Sequence, residues 1–561
     1  MRKRSLLAIM AAVVLCVSGV IVACSTNDKS ADDGKIVLDD TVVAYINLDQ
    51  LGDKSAINEI LTDGNRSLLA TLLAAECESP EWTEYTEELL SNLSASGLDT
   101  KTPVYCYYDV KDAEYAEEEF VVVAKVADAN KVDRFVEYFS DLTEDNIEVI
   151  KDGDTRKFET EDGMLCAYNA KRFVAVASNE YFEDSDTILN RALERPEADL
   201  SAYAKYDCAV SVNLNEVVAL QCESKQRELD EAHEYLETEV EEWEYEWVMY
   251  EIQWLEDELK TFKALQEQVE KDARAMLGLS FKAGRVVAEL SADGIKSEYK
   301  LDRKVSNDHL AYVDDDVLAL LNLGVNGEML SKVLSENVTP DYADMLGLSR
   351  NEFNIYFGIL CDAIKSINGD VTLALNDIKG SVYASGGYYV NSVDAILAMD
   401  VADDYIISNV AQFGAGFLNN YGNSTYGLTY AGLNFKLGQA DNVLFATVND
   451  EFKQQDNSAK RSAWASDIEE SYGYVVVDVN NMMDNHIVSN LYRQEMRGFD
   501  STTAGYINNF VDSCSYAYFT INSPQSVQLV LVFEDKQTNA LEQIVRQLAP
   551  VVIREATKGM F

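Results

Sequence analysis

The sequence predicts an α+β protein with two related halves in tandem, each a mainly antiparallel sheet with helices on one face, and a long acidic helical insertion. Two observations predict this fold. A corner in which a strand ends in Asn or Asp, followed by an apolar residue and a helix start, occurs four times. Landmarks of the first half also return in the second half in one order and at nearly one spacing, as an internal duplication requires.

The third residue of each corner is of a kind favoured at a helix N-cap, where free backbone N–H groups need an acceptor. We therefore expect every corner to turn a strand into a helix, with that third residue as the cap. The four triplets are Asn47-Leu48-Asp49, Asn213-Leu214-Asn215, Asn322-Leu323-Gly324 and Asp478-Val479-Asn480.

The spacing of the landmarks predicts a tandem duplication. The first corner recurs as the third after 275 residues, and the second as the fourth after 265. Two further motifs recur after 275 and 270 residues: Val126-Ala127-Asp128 as Val401-Ala402-Asp403, and Asn179-Glu180 as Asn449-Asp450. The alternative is that such short corners recur in any large α+β protein. The polar segment 303–309 is typical of a boundary, so we expect a first half over 37–304 and a second half over 305–561.

The elements follow from periodicity and turn residues. Helical spacing occurs over 56–61, 67–75, 81–93 and 130–139, and Gly97 is a stop signal. Asp152-Gly153 and Asp162-Gly163 predict hairpin turns in a meander of four strands, because both turn positions favour positive φ. Asp293-Gly294 predicts a turn between strands at 280–290 and 295–301. The C-terminal segment 539–558 has the pattern of an amphipathic helix interrupted at Pro550.

Residues 216–277 contain no Gly and no Pro and carry a heptad-like apolar seam. A continuous helix of this length would reach ~90 Å, so the segment either projects as one helix or folds back as a helical hairpin. The absence of helix breakers favours one helix, inserted into the first half and without a counterpart in the second.

Aromatic residues on this seam are the candidate ligand-binding residues: Trp243, Trp247, Tyr250 and Trp254. They could form a stacking platform for sugars or aromatic ligands. The alternative is that they are knobs of a helix–helix or helix–domain contact, which their seam spacing favours.

The N-terminus predicts export. Residues 1–23 combine Arg2, Lys3 and Arg4 with a long apolar run that ends in a small residue directly before Cys24. This layout is typical of a secretory signal and resembles a bacterial lipobox, which implies an acylated Cys24 and a lipidated tether over 24–36. The alternative is an uncleaved membrane anchor, because a span needs ~20 apolar residues.

Composition excludes several functions. A net charge of −51, from 97 acidic and 46 basic residues, repels the phosphates of nucleic acids. Only three histidines are present, none at metal-ligand spacing, and the nucleotide-binding and nucleophile-elbow motifs are missing, so we expect no metal and no cofactor. After Cys16 and Cys24, an odd number of seven cysteines remains, several in apolar runs, which predicts buried free thiols.

Short motifs carry a family resemblance. Asn47-Leu48 with Lys54-Ser55, Gly97-Leu98-Asp99 before the strand at Pro103, and Val126-Ala127-Asp128-Ala129 resemble an uncharacterised lipoprotein family of Bacteroidota, domain of unknown function 4836. The resemblance covers most of the chain after Cys24 and implies display at the outer membrane or cell surface. It supplies no catalytic residue, and the long helix departs from its pattern.

These observations predict a lipid-anchored surface or outer-membrane protein that binds or scaffolds without catalysis, with a glycan, peptide or protein as partner. The alternative is a carboxylate-dependent, glycan-directed hydrolase, because the many Asp and Glu residues leave a paired acid site open. The sequence does not determine the ligand or the oligomeric state.

Overall fold

The computed structural model describes residues 42–557 except for 75–80, 113–116, 144–146, 162, 179–184, 239–244, 297–300, 339–348, 384–387, 415–417, 423, 431, 450, 454–463 and 469. The signal segment, Cys24 and Trp243 lie outside the described residues, as does the Asn179-Glu180 motif. The chain forms two compact units. Unit 1 comprises residues up to Lys296 together with 537–561, and unit 2 comprises 297–536.

Unit 1 contains ten of the described strands and nine of the described α-helices. The strands are β1 (Val42–Ile46), β2 (Val104–Asp112), β3 (Glu117–Lys125), β4 (Ile150–Asp152), β5 (Thr155–Glu159), β6 (Leu165–Tyr168), β7 (Arg172–Ser178), β8 (Cys208–Asn213), β9 (Val269–Lys282) and β10 (Arg285–Ile295). The helices are α1 (Leu48–Ser55), α2 (Ile57–Ile60), α3 (Asp63–Leu73), α4 (Glu81–Ser91), α5 (Ala129–Thr143), α6 (Ser185–Glu194), α7 (Leu214–Thr238), α8 (Tyr245–Gln268) and α15 (Ala540–Thr557).

Unit 2 contains the other ten described strands. They are β11 (Ala319–Asn326), β12 (Ile367–Val382), β13 (Tyr388–Val401), β14 (Asn419–Gly422), β15 (Thr425–Tyr430), β16 (Leu433–Ala440), β17 (Val443–Val448), β18 (Gly473–Asp478), β19 (Cys514–Ser523) and β20 (Ser526–Phe533). The helices are α9 (Gly327–Asn337), α10 (Arg350–Ser366), α11 (Tyr405–Gly414), α12 (Val479–Asp484), α13 (His486–Glu495) and α14 (Ser501–Ser513).

The two units share one strand order. Neighbours in unit 1 run β10-β9-β8-β1-β2-β3-β7-β6-β5-β4. Unit 2 repeats this order with each strand number raised by ten. All of these pairs are antiparallel. The protein is therefore α+β, and the common order is what the predicted repeat of two halves requires.

The caps differ from the sequence prediction by two positions. The first residue of the triplet, not the third, is the N-cap: Asn47 Oδ1 accepts from the Gln50 amide, and Asn213 Oδ1 accepts from the Glu216 amide. Asp478 does the same in unit 2, where its Oδ1 accepts from the Asn481 amide at 3.0 Å. A cap acts on amides two or three residues ahead, so the apolar residue and its successor already belong to the helix.

The third corner was predicted wrongly. Asn322 lies inside β11 and is fully buried, because β11 continues to pair with β12 as far as Asn326. Asn326 is the cap of α9, and its Oδ1 accepts from the Met329 amide.

The prediction of one continuous helix over 216–277 is also wrong. Helix α7 ends at Thr238 and α8 begins at Tyr245, and Lys225 of α7 pairs with Glu258 of α8 at 3.3 Å, so the two helices form an antiparallel hairpin. Residues 269–277 belong to β9, between β8 and β10. Local propensity favours a helix there, but pairing with two neighbouring strands overrides it. Unit 2 has helices α12, α13 and α14 at the same place, so the hairpin does have a counterpart.

Two smaller boundaries change as well. The turn between β9 and β10 lies at residues 283–284, and Gly294 instead marks an irregularity inside β10, with φ +74°. The C-terminal helix α15 continues through Pro550 and belongs to unit 1, where it packs against α1, α3 and β9. The predicted second half, 305–561, includes this helix.

The sheets carry the core. In unit 1, Tyr45, Tyr107, Val121, Val174 and Val176 are fully buried in one cluster with residues of α6. The predicted thiols are free in the described part of the chain, and all are buried except the half-buried Cys208: Cys106, Cys166, Cys222, Cys361 and Cys514.

Candidate functional site

The helical hairpin is held by an apolar stripe between its two helices. Helix α8 contributes Val248, Ile252, Leu255 and Leu259, all buried. Their facing partners on α7 are Val218, Cys222 and Leu229. A spacing of three and four residues keeps such side chains on one face of a helix, and their burial drives the two helices together.

The candidate aromatic residues lie on the opposite face of α8. Trp247, Tyr250 and Trp254 are 65%, 72% and 49% exposed. At 100° per residue they occupy an arc of about 60°, on the side away from the buried stripe. Their interpretation as knobs of the contact within this segment is therefore wrong. The predicted seam joined two stripes of equal spacing, one packed and one open to solvent.

The surroundings of this stripe are acidic. Helices α7 and α8 carry 13 acidic and four basic side chains, which gives them a net charge of −9. Glu246, Glu251 and Asp257 flank the aromatic residues along α8. One cation already sits on the stripe, since Lys225 Nζ lies 5.1 Å from the centre of the Trp254 ring. The surface therefore combines aromatic faces with a negative field, and both attract cationic groups.

The tyrosine-rich strands divide into buried and exposed residues. Tyr107 of β2 is buried in the core of unit 1. In unit 2, Tyr389, Tyr421 and Tyr430 are exposed on β13, β14 and β15. These three tyrosines lie on three different strands and form no continuous stripe like that on α8.

Unit 2 also contains a buried polar network that sequence reasoning missed. His309 is 2% exposed and lies between Asp400, 3.0 Å from Nε2, and Thr372, 3.0 Å from Nδ1. The Thr372 hydroxyl donates to Asn322 Oδ1 at 3.0 Å, and Asn322 Nδ2 donates to Asp370 Oδ2 at 3.2 Å. Asp370 also accepts from the amides of residues 306 and 307. These residues lie far apart in sequence and have no motif spacing, so no local signal points to them.

Thr372, His309 and Asp400 follow one another like the hydroxyl, imidazole and carboxylate of a catalytic triad, but their role is structural. The Thr372 hydroxyl is 1% exposed and its proton is donated to Asn322, so it faces no substrate. Burial tends to raise the pKa of Asp400, but hydrogen bonds from His309 and the Asp370 amide outweigh it and lower that pKa. A carboxylate that stays ionised beside a histidine is also found in catalytic triads, so the structural role follows from the buried Thr372 hydroxyl and its donation to Asn322.

Asp478 is a half-buried carboxyl group with the opposite shift. Burial raises its pKa, and the nearby charges of Glu534 and Asp316 act in the same direction. Its Oδ1 accepts from the Asn481 amide as the cap of α12. Its oxygen is thus engaged by the backbone in a structural role.

In the described part of the chain, no helix is both long enough and apolar enough to span a bilayer.

Comparison with known proteins finds a match to most of the chain but not to the helical hairpin. No curated protein and no solved structure matches the chain. A family model described as a domain of unknown function, DUF4836, matches residues 35–212 and 270–541. The unmatched interval between these regions contains α7 and α8, so the candidate aromatic surface lies outside the matched regions. The matched regions cover most of the sequence, and the chain belongs to the DUF4836 family.

Proposed function

We propose that this protein is a lipid-anchored binding or scaffolding protein of the outer membrane or cell surface, whose binding surface is the aromatic stripe Trp247, Tyr250 and Trp254. The observation that carries the proposal is the exposure of three large aromatic side chains on one helix face. Contiguous exposed apolar surface is characteristic of interaction sites, and Trp and Tyr dominate the energy of such sites.

The partner proposed for this surface is a protein segment with a basic, amphipathic helix. The stripe has the three-and-four spacing with which a helix packs on another helix. The net charge of −9 on the hairpin complements lysine and arginine flanking an apolar face. Lys225 on the Trp254 ring is an intramolecular example of the same contact. A glycan would use the rings but not the charge.

The binding test compares a double variant with a matched control. Trp247→Ala with Tyr250→Ala removes exposed side chains and leaves the buried stripe intact. Crosslinking and affinity capture from envelope fractions should then lose the partners that the wild-type chain retains, at unchanged thermal stability. The control is Tyr421→Ala with Tyr430→Ala, which removes two exposed tyrosines from unit 2.

Salt distinguishes the partner classes. A basic partner should be released as ionic strength rises from 0.05 to about 0.5 M, because the Debye length shrinks from ~14 to ~4 Å. Capture of a glycan with no salt dependence would contradict the proposed partner. Identical partner profiles for the double variant and the wild type would contradict the surface itself.

Attachment to the membrane is proposed through Cys24. The lipobox-like Ile21-Val22-Ala23-Cys24 and the resemblance to lipoproteins of Bacteroidota support it. Cys24→Ala should move the protein from the membrane pellet to the soluble fraction, since two or more acyl chains anchor firmly. Retention of this variant in the pellet would contradict lipidation as the anchor.

A further inference from the structure

We propose that unit 2 contains a binding site for a guanidinium group. The site is an open cavity of about 320 Å³ at α11, β15 and β16. It goes beyond the aromatic stripe, which belongs to unit 1. The inference rests on a comparison of the two units, because side chains of the protein fill the equivalent place in unit 1.

Equivalent positions in the two units follow from equivalent hydrogen bonds. The Val126 amide donates to the Lys171 carbonyl at 3.0 Å, and the Val401 amide donates to the Asn442 carbonyl at 2.8 Å. The helices that follow begin alike. Asp128 Oδ1 accepts from the Asn130 amide, and Asp403 Oδ1 accepts from the Tyr405 amide. Position 126 therefore corresponds to 401 and position 171 to 442.

These anchors place three residues of the cavity. Counting five residues along the helix from Asp128 and from Asp403 makes Ser408 the counterpart of Asp133. Counting back three residues from 171 and 442 makes Gln439 the counterpart of Tyr168. Arg156 pairs with Tyr168 across β5 and β6, and Thr425, the first residue of β15, pairs with Gly438 of β16. Extending this register by one residue places the turn residue Ser424, with φ +55°, at the position of Arg156.

In unit 1 these positions hold a charged plug. Arg156 Nε lies 2.7 Å from Asp133 Oδ1, and the guanidinium carbon lies 5.7 Å from the centre of the Tyr168 ring. The Tyr168 hydroxyl donates to Asp133 Oδ1 at 2.6 Å. Unit 2 replaces all three large side chains by smaller ones, Ser408, Ser424 and Gln439, and the space they would occupy is the cavity.

The lining of the cavity accepts hydrogen bonds from a cation. Asp404 and Asp441 add two carboxylates where unit 1 has Ala129 and Ala170, and the described residues that line the cavity include no Lys or Arg. Gln439 Oε1 is buried and accepts no hydrogen bond from the protein. Tyr426 supplies an aromatic side chain. A guanidinium offers five donors and stacks on aromatic rings, so it matches this set of acceptors.

The ligand would thus restore the group that Arg156 provides in unit 1. That guanidinium can come from a free arginine derivative or from an arginine side chain of a peptide. Calorimetric titration of the purified full-length chain with Nα-acetylarginine amide should give saturable binding. The uncharged isostere Nα-acetylcitrulline amide should bind at least tenfold more weakly, because it cannot form the charge-assisted hydrogen bonds.

Single variants test the lining. Asp404→Asn and Asp441→Asn should each weaken arginine binding about tenfold, the loss of one charge-assisted contact. Glu495→Gln, an exposed carboxylate elsewhere in unit 2, should leave it unchanged. Trp247→Ala with Tyr250→Ala should also leave it unchanged, which separates this site from the aromatic stripe.

A transplanted plug gives the sharpest test. Ser408→Asp, Ser424→Arg and Gln439→Tyr together rebuild in unit 2 the arrangement of Asp133, Arg156 and Tyr168. This variant should fold, as judged by circular dichroism and melting temperature, and should lose arginine binding. Tighter binding of a Gly-Arg-Gly peptide than of the amide would identify a peptide source, and the reverse a small molecule. Absence of saturable arginine binding, or its persistence in the plugged variant, would overturn the proposal.

Discussion

The buried network around His309 predicts a large and local loss of stability in His309→Ala. The substitution removes the hydrogen bond to the Asp400 carboxylate and the one to the Thr372 hydroxyl, both 3.0 Å long. A hydrogen bond to a charged group contributes ~1.5–3 kcal/mol and a neutral one ~1 kcal/mol. Asp400 and Thr372 also lose a partner while they stay in place, so we expect a destabilisation of about 3 kcal/mol.

The neighbouring side chains fix the directions of the hydrogen bonds around His309. Asn322 Nδ2 points at Asp370, which accepts only, so Asn322 Oδ1 must face Thr372. The single Thr372 proton goes to that oxygen, and the hydroxyl must then accept from His309 Nδ1. With Asp400 at Nε2, each ring nitrogen of His309 has a hydrogen-bond partner inside the protein. Removing one member of such a buried hydrogen-bonded set is costly.

Hydrogen–deuterium exchange measures this loss separately in each unit. Amides of β11 and β12 should exchange about 100-fold faster in His309→Ala, since 1.4 kcal/mol corresponds to a factor of ten. Amides of β1 and β2, their counterparts in unit 1, should keep their rates. The control is His486→Ala, at an exposed position of α13. A change below threefold in β11 and β12 would refute the reasoning.

Three further predictions concern other sites. The folded-state pKa of Asp400 lies below the unfolded value of about 3.9. Ionised Asp400 therefore adds to the free energy of unfolding above pH ~3.9, and this stabilisation is lost as pH falls through the folded-state pKa. The urea midpoint of unfolding should therefore fall less steeply at acid pH in Asp400→Asn than in the wild type. Equal slopes for the two proteins would contradict this. Burial raises the pKa of the Cys106 and Cys166 thiols to about 12, so both should resist a thiol reagent at pH 8 until urea is added; native labelling, located by mass spectrometry, would count against it. Gly97→Ala should lower the free energy of unfolding by ~2–3 kcal/mol, because φ is +86° and the new Cβ would lie 2.5 Å from a backbone oxygen. Gly153→Ala, with φ +60° but open space, should cost ~1 kcal/mol, and equal losses in urea titrations would disprove the steric part.

Several features of this fold follow from the sequence because their causes are local. A cap such as Asn213 bonds to amides within three residues, so the first, second and fourth corners could be located, although the predicted cap lies two positions after the observed one. The turn between β4 and β5 lies one residue later than predicted, at 153–154, because Asp152 still pairs with Thr155, and of the two predicted turn residues only Gly153 has positive φ. The recurrence of Val126-Ala127-Asp128 also survives, because the same backbone bonds form in both units.

Tertiary structure alone decided the rest, because the deciding contacts join distant residues. Residues 269–277 have helical spacing, yet β8 and β10 hold them as a strand. Trp247 and Val248 belong to stripes of equal period, so spacing cannot tell which one faces α7; the fit against Val218, Cys222 and Leu229 decides it. His309 meets Asp400 across 91 residues, and no local pattern encodes that pairing. Periodicity therefore determines which side chains share a face, and long-range packing determines what that face meets.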